Sequence, residues 1–321
     1  MSALFADLLG QPRAVALLEA VLEQQRLAPA YLFAGADGVG RRLAALRFLE
    51  GVLAGPAGSP ALRRRLADGN HPDLLWVEPT YQHQGQLIPA SQAEAQGVAR
   101  RALPQLRLEQ VRAVARFLGR RPVEANRCLV VLEQVEAMAE GAANALLKTL
   151  EEPGDGLLIL ITAAPERLLS TIRSRCQQIP FLRLDPATVE QVLASVAQRE
   201  GLEPDAEADP RELRTLAAGS PGALLRHRRQ WRELPEGLAE RLRGLQREPL
   251  EALTLARDLS EALDVEQQLW LLDWWQHALW TDALDRRPLE RLERLRRQLR
   301  AYVQPRLAWE VALLDLGAFR R

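Results

Sequence analysis

Two apolar runs that never alternate with polar residues, Leu129 to Leu132 and Leu157 to Thr162, predict buried parallel strands, because only a strand covered on both faces can be apolar throughout. Between them Asn144 to Glu152 has helical spacing and is stopped by Pro153. The second run leads through an arginine-bearing turn, Ser170 to Cys176, to a third strand-like piece from Gln178 to Leu182. A strand ending in acidic or amide residues, a helix, another strand and then a basic turn is how a nucleotide-binding α/β sheet presents its working edge.

The rest of the chain fits around this stretch. Pro12 opens a helix with Val15, Leu18, Val21 and Leu22 on one face. Ala30 to Ala34 reads as a short strand, followed by a glycine-rich turn and a helix from Leu43 to Leu53. Leu74 to Val77 is a strand entered through the turn His71-Pro72-Asp73, and Leu108 to Leu118 is a helix burying Val111, Val114 and Leu118. Tyr81 to Pro104, rich in Gln and Ala, is expected to be a surface excursion, and Arg63-Arg64-Arg65 a solvated helix face. Asp185-Pro186 starts a helix with Val189, Val192, Leu193 and Val196 inward, and Glu203 to Asp209 is an acidic linker. Beyond about residue 230 the pattern is helical. Leu269 to Trp280 carries Trp270, Trp274, Trp275 and Trp280 with no clean polar face, which predicts a buried or interface helix. Leu289, Leu292, Leu295 and Leu299 form one stripe, either a coiled-coil-like face or that of an ordinary bundle helix.

At 321 residues, two or three domains of about 100–200 residues each are expected. Charges balance at 42 basic and 42 acidic residues, so no gross field draws the chain to nucleic acid or membrane. Cys128 and Cys176 cannot make a disulfide framework and fit a reducing compartment. The first residues lack the basic and apolar regions of a secretory signal, and no run approaches the roughly 20 apolar residues of a spanning helix. A cytoplasmic location is the expectation.

The candidate chemistry starts at the glycine turn. Gly35, Gly38 and Gly40, between a strand and a helix, have the context and spacing of a phosphate-binding P-loop, whose backbone N–H groups and helix N-terminus face the anion. The next two residues depart from it. Arg41 keeps the charge of the usual Lys with a different geometry, and Arg42 replaces the hydroxyl that would hold Mg²⁺ and cannot ligate metal. The turn is therefore either a weak nucleotide site or a glycine turn kept for its shape.

In combination, the helix ending Leu147-Lys148-Thr149-Leu150-Glu151-Glu152-Pro153 and the triplet Ser174-Arg175-Cys176 resemble the clamp-loader branch of the AAA+ family, over residues 4 to about 225. The resemblance implies a P-loop-like parallel α/β domain over 1–182, a small helical domain over 183–230 and an all-α collar over 231–321. It places Leu8 to Gln11 beside an adenine, Thr162 as a polar sensor, and Glu133-Gln134 where working ATPases carry Asp-Glu to place Mg²⁺ and orient water. Active members have an arginine where Gly222 stands. Relatives with a zinc-binding cysteine cluster hold it near 54–70; with no cysteine before Cys128, no metal is assigned. Arg175 then takes the part of a finger aimed at a neighbouring subunit's nucleotide. The implied function is a non-hydrolysing subunit of the clamp loader of the DNA polymerase III holoenzyme. It would need no cofactor, bind ATP weakly or not at all, and work with gamma/tau ATPase subunits and a delta subunit on sliding clamp and primer–template DNA. Two alternatives stand beside it: a slow ATPase with a variant P-loop, and a structural adaptor docking through Trp270 to Trp280.

Overall fold

The computed structural model describes residues 3–98, 102–200, 210–245, 248–283, 286–301 and 303–317. Its strands are β1 (Ala30–Ala34), β2 (Leu74–Val77), β3 (Thr80–His83), β4 (Gln86–Pro89), β5 (Leu129–Leu132), β6 (Leu157–Thr162) and β7 (Gln177–Pro180). Five of them make one sheet in the order β2-β5-β6-β1-β7, with every pairing parallel. All residues of β5 and β6 are buried, which is why these two strands read as unbroken apolar runs. β7 stops at Pro180, short of Leu182, which is 62% exposed.

The helices of this unit are α1 (Pro12–Gln24), α2 (Arg41–Ala54), α3 (Pro60–Ala67), α4 (Leu108–Leu118), α5 (Glu140–Glu151), α6 (Ser170–Arg173) and α7 (Pro186–Glu200). Val111 and Val114 of α4, Leu146 and Leu150 of α5 and Ile172 of α6 share a core with Val130, Leu132, Leu158 and Leu160 of the sheet. Each fully buried leucine there contributes about 1.5–3 kcal/mol. α5 begins four residues before the apolar pattern because its first turn buries alanines, Ala142 and Ala143, which carry little hydrophobic signal. The unit comprises Met1–Thr80, Pro104–Ala206 and Gly219–Ala223.

The basic run in α3 is not simply solvated. Arg63 donates to Glu50 at 2.8 Å, and Arg65 pairs with Glu124 at 2.9 Å. Glu50 is fully buried and also accepts the Ser59 N–H at 2.9 Å. At the entry to β2, Asp73 accepts three backbone N–H groups, from Val123, Glu124 and Ala125, at 2.7–2.8 Å.

The second unit comprises Tyr81–Leu103, Glu207–Ala218 and Leu224–Arg321. The stretch expected to be a surface excursion instead builds a hairpin, β3–β4, whose tip residues Gln84 and Gly85 both have positive φ, as tight hairpin turns require. Tyr81, Ile88, Ala93 and Val98 give it a small core, and the Tyr81 hydroxyl donates to Glu266. Its helices are α8 (Arg211–Ala217), α9 (Pro221–Glu233) from Leu224 on, α10 (Leu238–Arg243), α11 (Pro249–Ala262), α12 (Val265–Ala283), α13 (Arg286–Arg300) and α14 (Pro305–Gly317). Trp270, Trp274 and Trp275 of α12 are buried in this unit, so they are core residues and not a docking surface. Trp270 Nε1 donates to His227 Nδ1, and Trp309 Nε1 donates to the buried Gln268, both at 2.9 Å. Leu292, Leu295 and Leu299 are buried against the bundle, the ordinary role for the α13 stripe. The acidic linker at 203–209 and the Trp280 side chain lie outside the described residues. Among the described residues no helix is long and apolar enough to cross a membrane.

Candidate functional site

Sheet register brings Gly35, Glu133 and Thr162 to one edge. Ala34 is level with Thr162, and Gly35 N–H donates to the Thr162 carbonyl at 3.2 Å. Leu132 is level with Leu160, so Glu133 emerges beside the same corner. The carboxyl ends of parallel strands are where such sheets place ligands.

The loop from Gly35 to Gly40 and the N-terminus of α2 have the strand–loop–helix order of a P-loop, but their side chains are committed elsewhere. Arg41 is 5% exposed and folds back onto Asp37 at 2.9 Å. Its Nε and Nη1 are buried without a hydrogen-bond partner, and burial pulls its pKa below that of an ordinary guanidinium, against the pull of Asp37. Arg42 donates to Glu133 Oε1 at 3.1 Å and lies over the Trp76 ring at 4.7 Å. Burial raises the pKa of Glu133, with Arg42 opposing. Arg42 and Glu133 thus pair with each other at the mouth of the loop. Gln134 sits at positive φ, in the left-handed region, at the turn out of β5. The buried Thr162 Oγ1 accepts the Ala164 N–H at 3.1 Å, capping the next turn.

A second segment occupies the loop. Gly222 N–H donates to the Gly38 carbonyl at 3.0 Å, and Ser220 Oγ donates to the Asp37 carbonyl at 2.5 Å while accepting the Ala223 N–H at 3.1 Å. The approach is backbone on backbone. A Cβ on Gly222 would lie 2.8 Å from Gly38 Cα, and a Cβ on Gly38 would lie 2.5 Å from Ala223 N. Gly38 also has φ +79°, so it is fixed as glycine twice over. Gln11 closes the other side: Nε2 donates to the Val39 and Leu182 carbonyls at 3.2 and 2.7 Å, and Oε1 accepts the Leu182 N–H at 3.0 Å. The seat of Gly222 on Gly38, and the parts of Ser220 and Asp37, were not legible in the sequence. A glycine pair 184 positions apart leaves no local signal.

Arg175 lies elsewhere. Gln177 is level with Tyr31, and Arg175 is two residues further back. From Gln177 to Phe181, which bonds to Ala34 beside the glycine loop, the chain runs about 13 Å at about 3.3 Å per residue, and Arg175 lies in the turn before it, at the opposite edge of the sheet. Its side chain is about one-third exposed, donates to the Thr171 carbonyl at 3.0 Å and pairs with Glu151 at 2.8 Å. Cys176 behind it is buried, and burial pushes its thiol up to about 12, which makes it inert as a nucleophile.

Comparison with known proteins bears on the family and the fold. A family model described as "DNA polymerase III, delta subunit" matches residues 10–185, and one described as "Cyanobacterial DNA polymerase III delta prime, C-terminal domain" matches residues 187–316. DNA polymerase III subunit delta' of Pseudomonas aeruginosa is 34% identical over 257 residues, 77% of this chain and 70% of that protein. The Bacillus subtilis subunit delta' is 36% identical over 190 residues, 57% of this chain and about half (51%) of the relative's length. The crystal structure of a DNA polymerase III gamma subunit-related protein from Thermotoga maritima shares the fold, with a TM-score of 0.54 at 16% identity, covering 96% of this chain and 100% of that one. The chain belongs to the delta-prime family of DNA polymerase III subunits.

Proposed function

We propose that the chain is a non-hydrolysing, stator-like subunit of the DNA polymerase III clamp loader, and that it offers Arg175 in trans to the ATP site of a neighbouring gamma/tau-type subunit. The observation that carries this reading is the seating of Ser220 and Gly222 on the carbonyls of Asp37 and Gly38, which holds a second segment against the loop. The Arg42–Glu133 pair supports it, since both metal-placing positions are neutralised by each other. The position of Arg175, at the sheet edge away from its own loop, favours service to another subunit. A guanidinium supplied in this way is worth on the order of 10³–10⁵ in rate, or roughly 4–7 kcal/mol of barrier.

In this reading the chain divides into 1–182, 183–230 and a collar at 231–321, works in the cytoplasm beside a delta subunit, and reaches sliding clamp and primer–template DNA through the complex. Exposed Leu307, Val311 and Leu314, spaced along one face of α14, suit a collar that meets other subunits. The test is ATP turnover by a reconstituted loader with clamp and primed DNA, containing wild-type chain or Arg175→Ala. Loss of most of the stimulated rate in the variant supports the finger; unchanged turnover refutes it and leaves a scaffold.

One observation favours a second reading, in which an anion binds weakly at the loop: the two unpartnered donors of buried Arg41. ATP turnover by the isolated chain that is lost in Arg41→Ala would establish this reading and end the non-hydrolysing one.

A further inference from the structure

A cavity of about 620 Å³ lies among the ends of α1 and α2, helix α3, the His71 turn and the loop at 124–127. These segments lead into β1, β2 and β5, so the cavity sits at the amino edge of the sheet, away from the glycine loop. Val21, Leu22, Leu27, Leu53 and Leu62 give it an apolar wall. Some of its polar groups are committed and others are not. His71 is 7% exposed, and its Nδ1 accepts the Asp73 N–H at 3.2 Å, which leaves the hydrogen on Nε2. Among the described residues Nε2 has no partner, and the side chains of Gln25, Asn126 and Arg127 make no hydrogen bond or ion pair. Arg65, by contrast, is held by Glu124.

We propose that this cavity binds the C-terminal end of a partner polypeptide. The last side chain, apolar, packs on the leucine wall, and the α-carboxylate accepts from Arg127 and from His71 Nε2–H. A planar guanidinium beside neutral N–H donors is the recognition set for a carboxylate. The volume lies within the roughly 300–1,000 Å³ of ligand pockets. A nucleic-acid strand is disfavoured: Glu124 offsets Arg65, leaving one net cation, and no Phe, Tyr or Trp lines the cavity for base stacking. The inference is independent of the nucleotide edge and of Arg175.

The test uses the full chain and a hexapeptide library, tethered by its N-terminus and randomised at the last three positions, made both as free acids and as C-terminal amides. Wild-type chain is expected to enrich free acids ending in an apolar residue. Amidation, or Arg127→Gln with an unchanged unfolding midpoint, is expected to weaken the best of them about tenfold or more, the worth of one charge-assisted bond. Absence of enrichment, equal binding of the amides, or indifference to Arg127→Gln overturns the proposal. So does preferential retention of a twelve-nucleotide single strand that Arg127→Gln abolishes.

Discussion

Gly222→Ala isolates the contact that closes the glycine loop. Gly222 sits in the first turn of α9 without a positive φ, so on helix propensity alone alanine should stabilise it, by about 0.5–1 kcal/mol. The tertiary contact reverses the sign. The added Cβ would lie 2.8 Å from Gly38 Cα and 3.0 Å from the Gly38 carbonyl oxygen, both backbone atoms that cannot rotate away. Forcing a methyl into such a contact costs about 1–3 kcal/mol, and displacing the segment also gives up its N–H bond to Gly38, about 0.5–1.5 kcal/mol. Set against the propensity gain, the net cost is centred near about 2 kcal/mol, which raises the open population of this contact roughly 30-fold. Amide hydrogen exchange reads it directly: protection of the Gly222 N–H should fall by that factor, while the amides of β5 and β6 stay unchanged. If closure is also what excludes phosphate, nucleotide affinity should rise in the same variant. A stabilised Gly222→Ala chain with unaltered exchange at Gly222 would refute the packing argument.

Other perturbations test the rest. Glu50→Ala removes the buried partner of Arg63 and the acceptor of the Ser59 N–H, and should cost about 3–5 kcal/mol in denaturant unfolding because it strands a buried charge network. Asp73→Asn should cost about 3 kcal/mol near neutral pH, because the neutral amide weakens three charge-assisted bonds. Burial opposes ionisation of Asp73, but the N–H groups of Ala125, Val123 and Glu124 outweigh it and hold its pKa below the ordinary 3.8. Its contribution is therefore complete above that value and lost as pH falls through the lower folded one, so wild type and Asp73→Asn should converge in stability at acid pH. Trp309→Phe leaves the buried Gln268 Oε1 without its indole donor and replaces a fully buried bicyclic ring by a smaller one, so the lost bond and the cavity together should cost about 2–4 kcal/mol in thermal unfolding.

What the sequence determined by itself was whatever rests on local periodicity and chain-adjacent chemistry. Short uninterrupted apolar runs rich in β-branched residues read as strands covered on both faces, and they are β5 and β6. A strand running into Gly35, Gly38 and Gly40 and then a helix has the order of a P-loop, and the departures at Arg41, Arg42 and Gln134 are legible from the residue types alone. The hairpin at 80–89 escaped because a short, Gln-rich strand pair carries little alternation, and its stability comes from a small core that includes residues beyond the turn. Only the tertiary structure decided how the altered residues are used. Arg41 turns back to Asp37, Arg42 meets Glu133 across 91 positions, and Arg175 rests on Glu151 at the edge away from its own loop. Likewise Gly222, in sequence merely a missing arginine, becomes the one residue small enough for its backbone to lie on Gly38. Contacts between backbones far apart in the chain depend on how whole elements pack, and no local pattern encodes them.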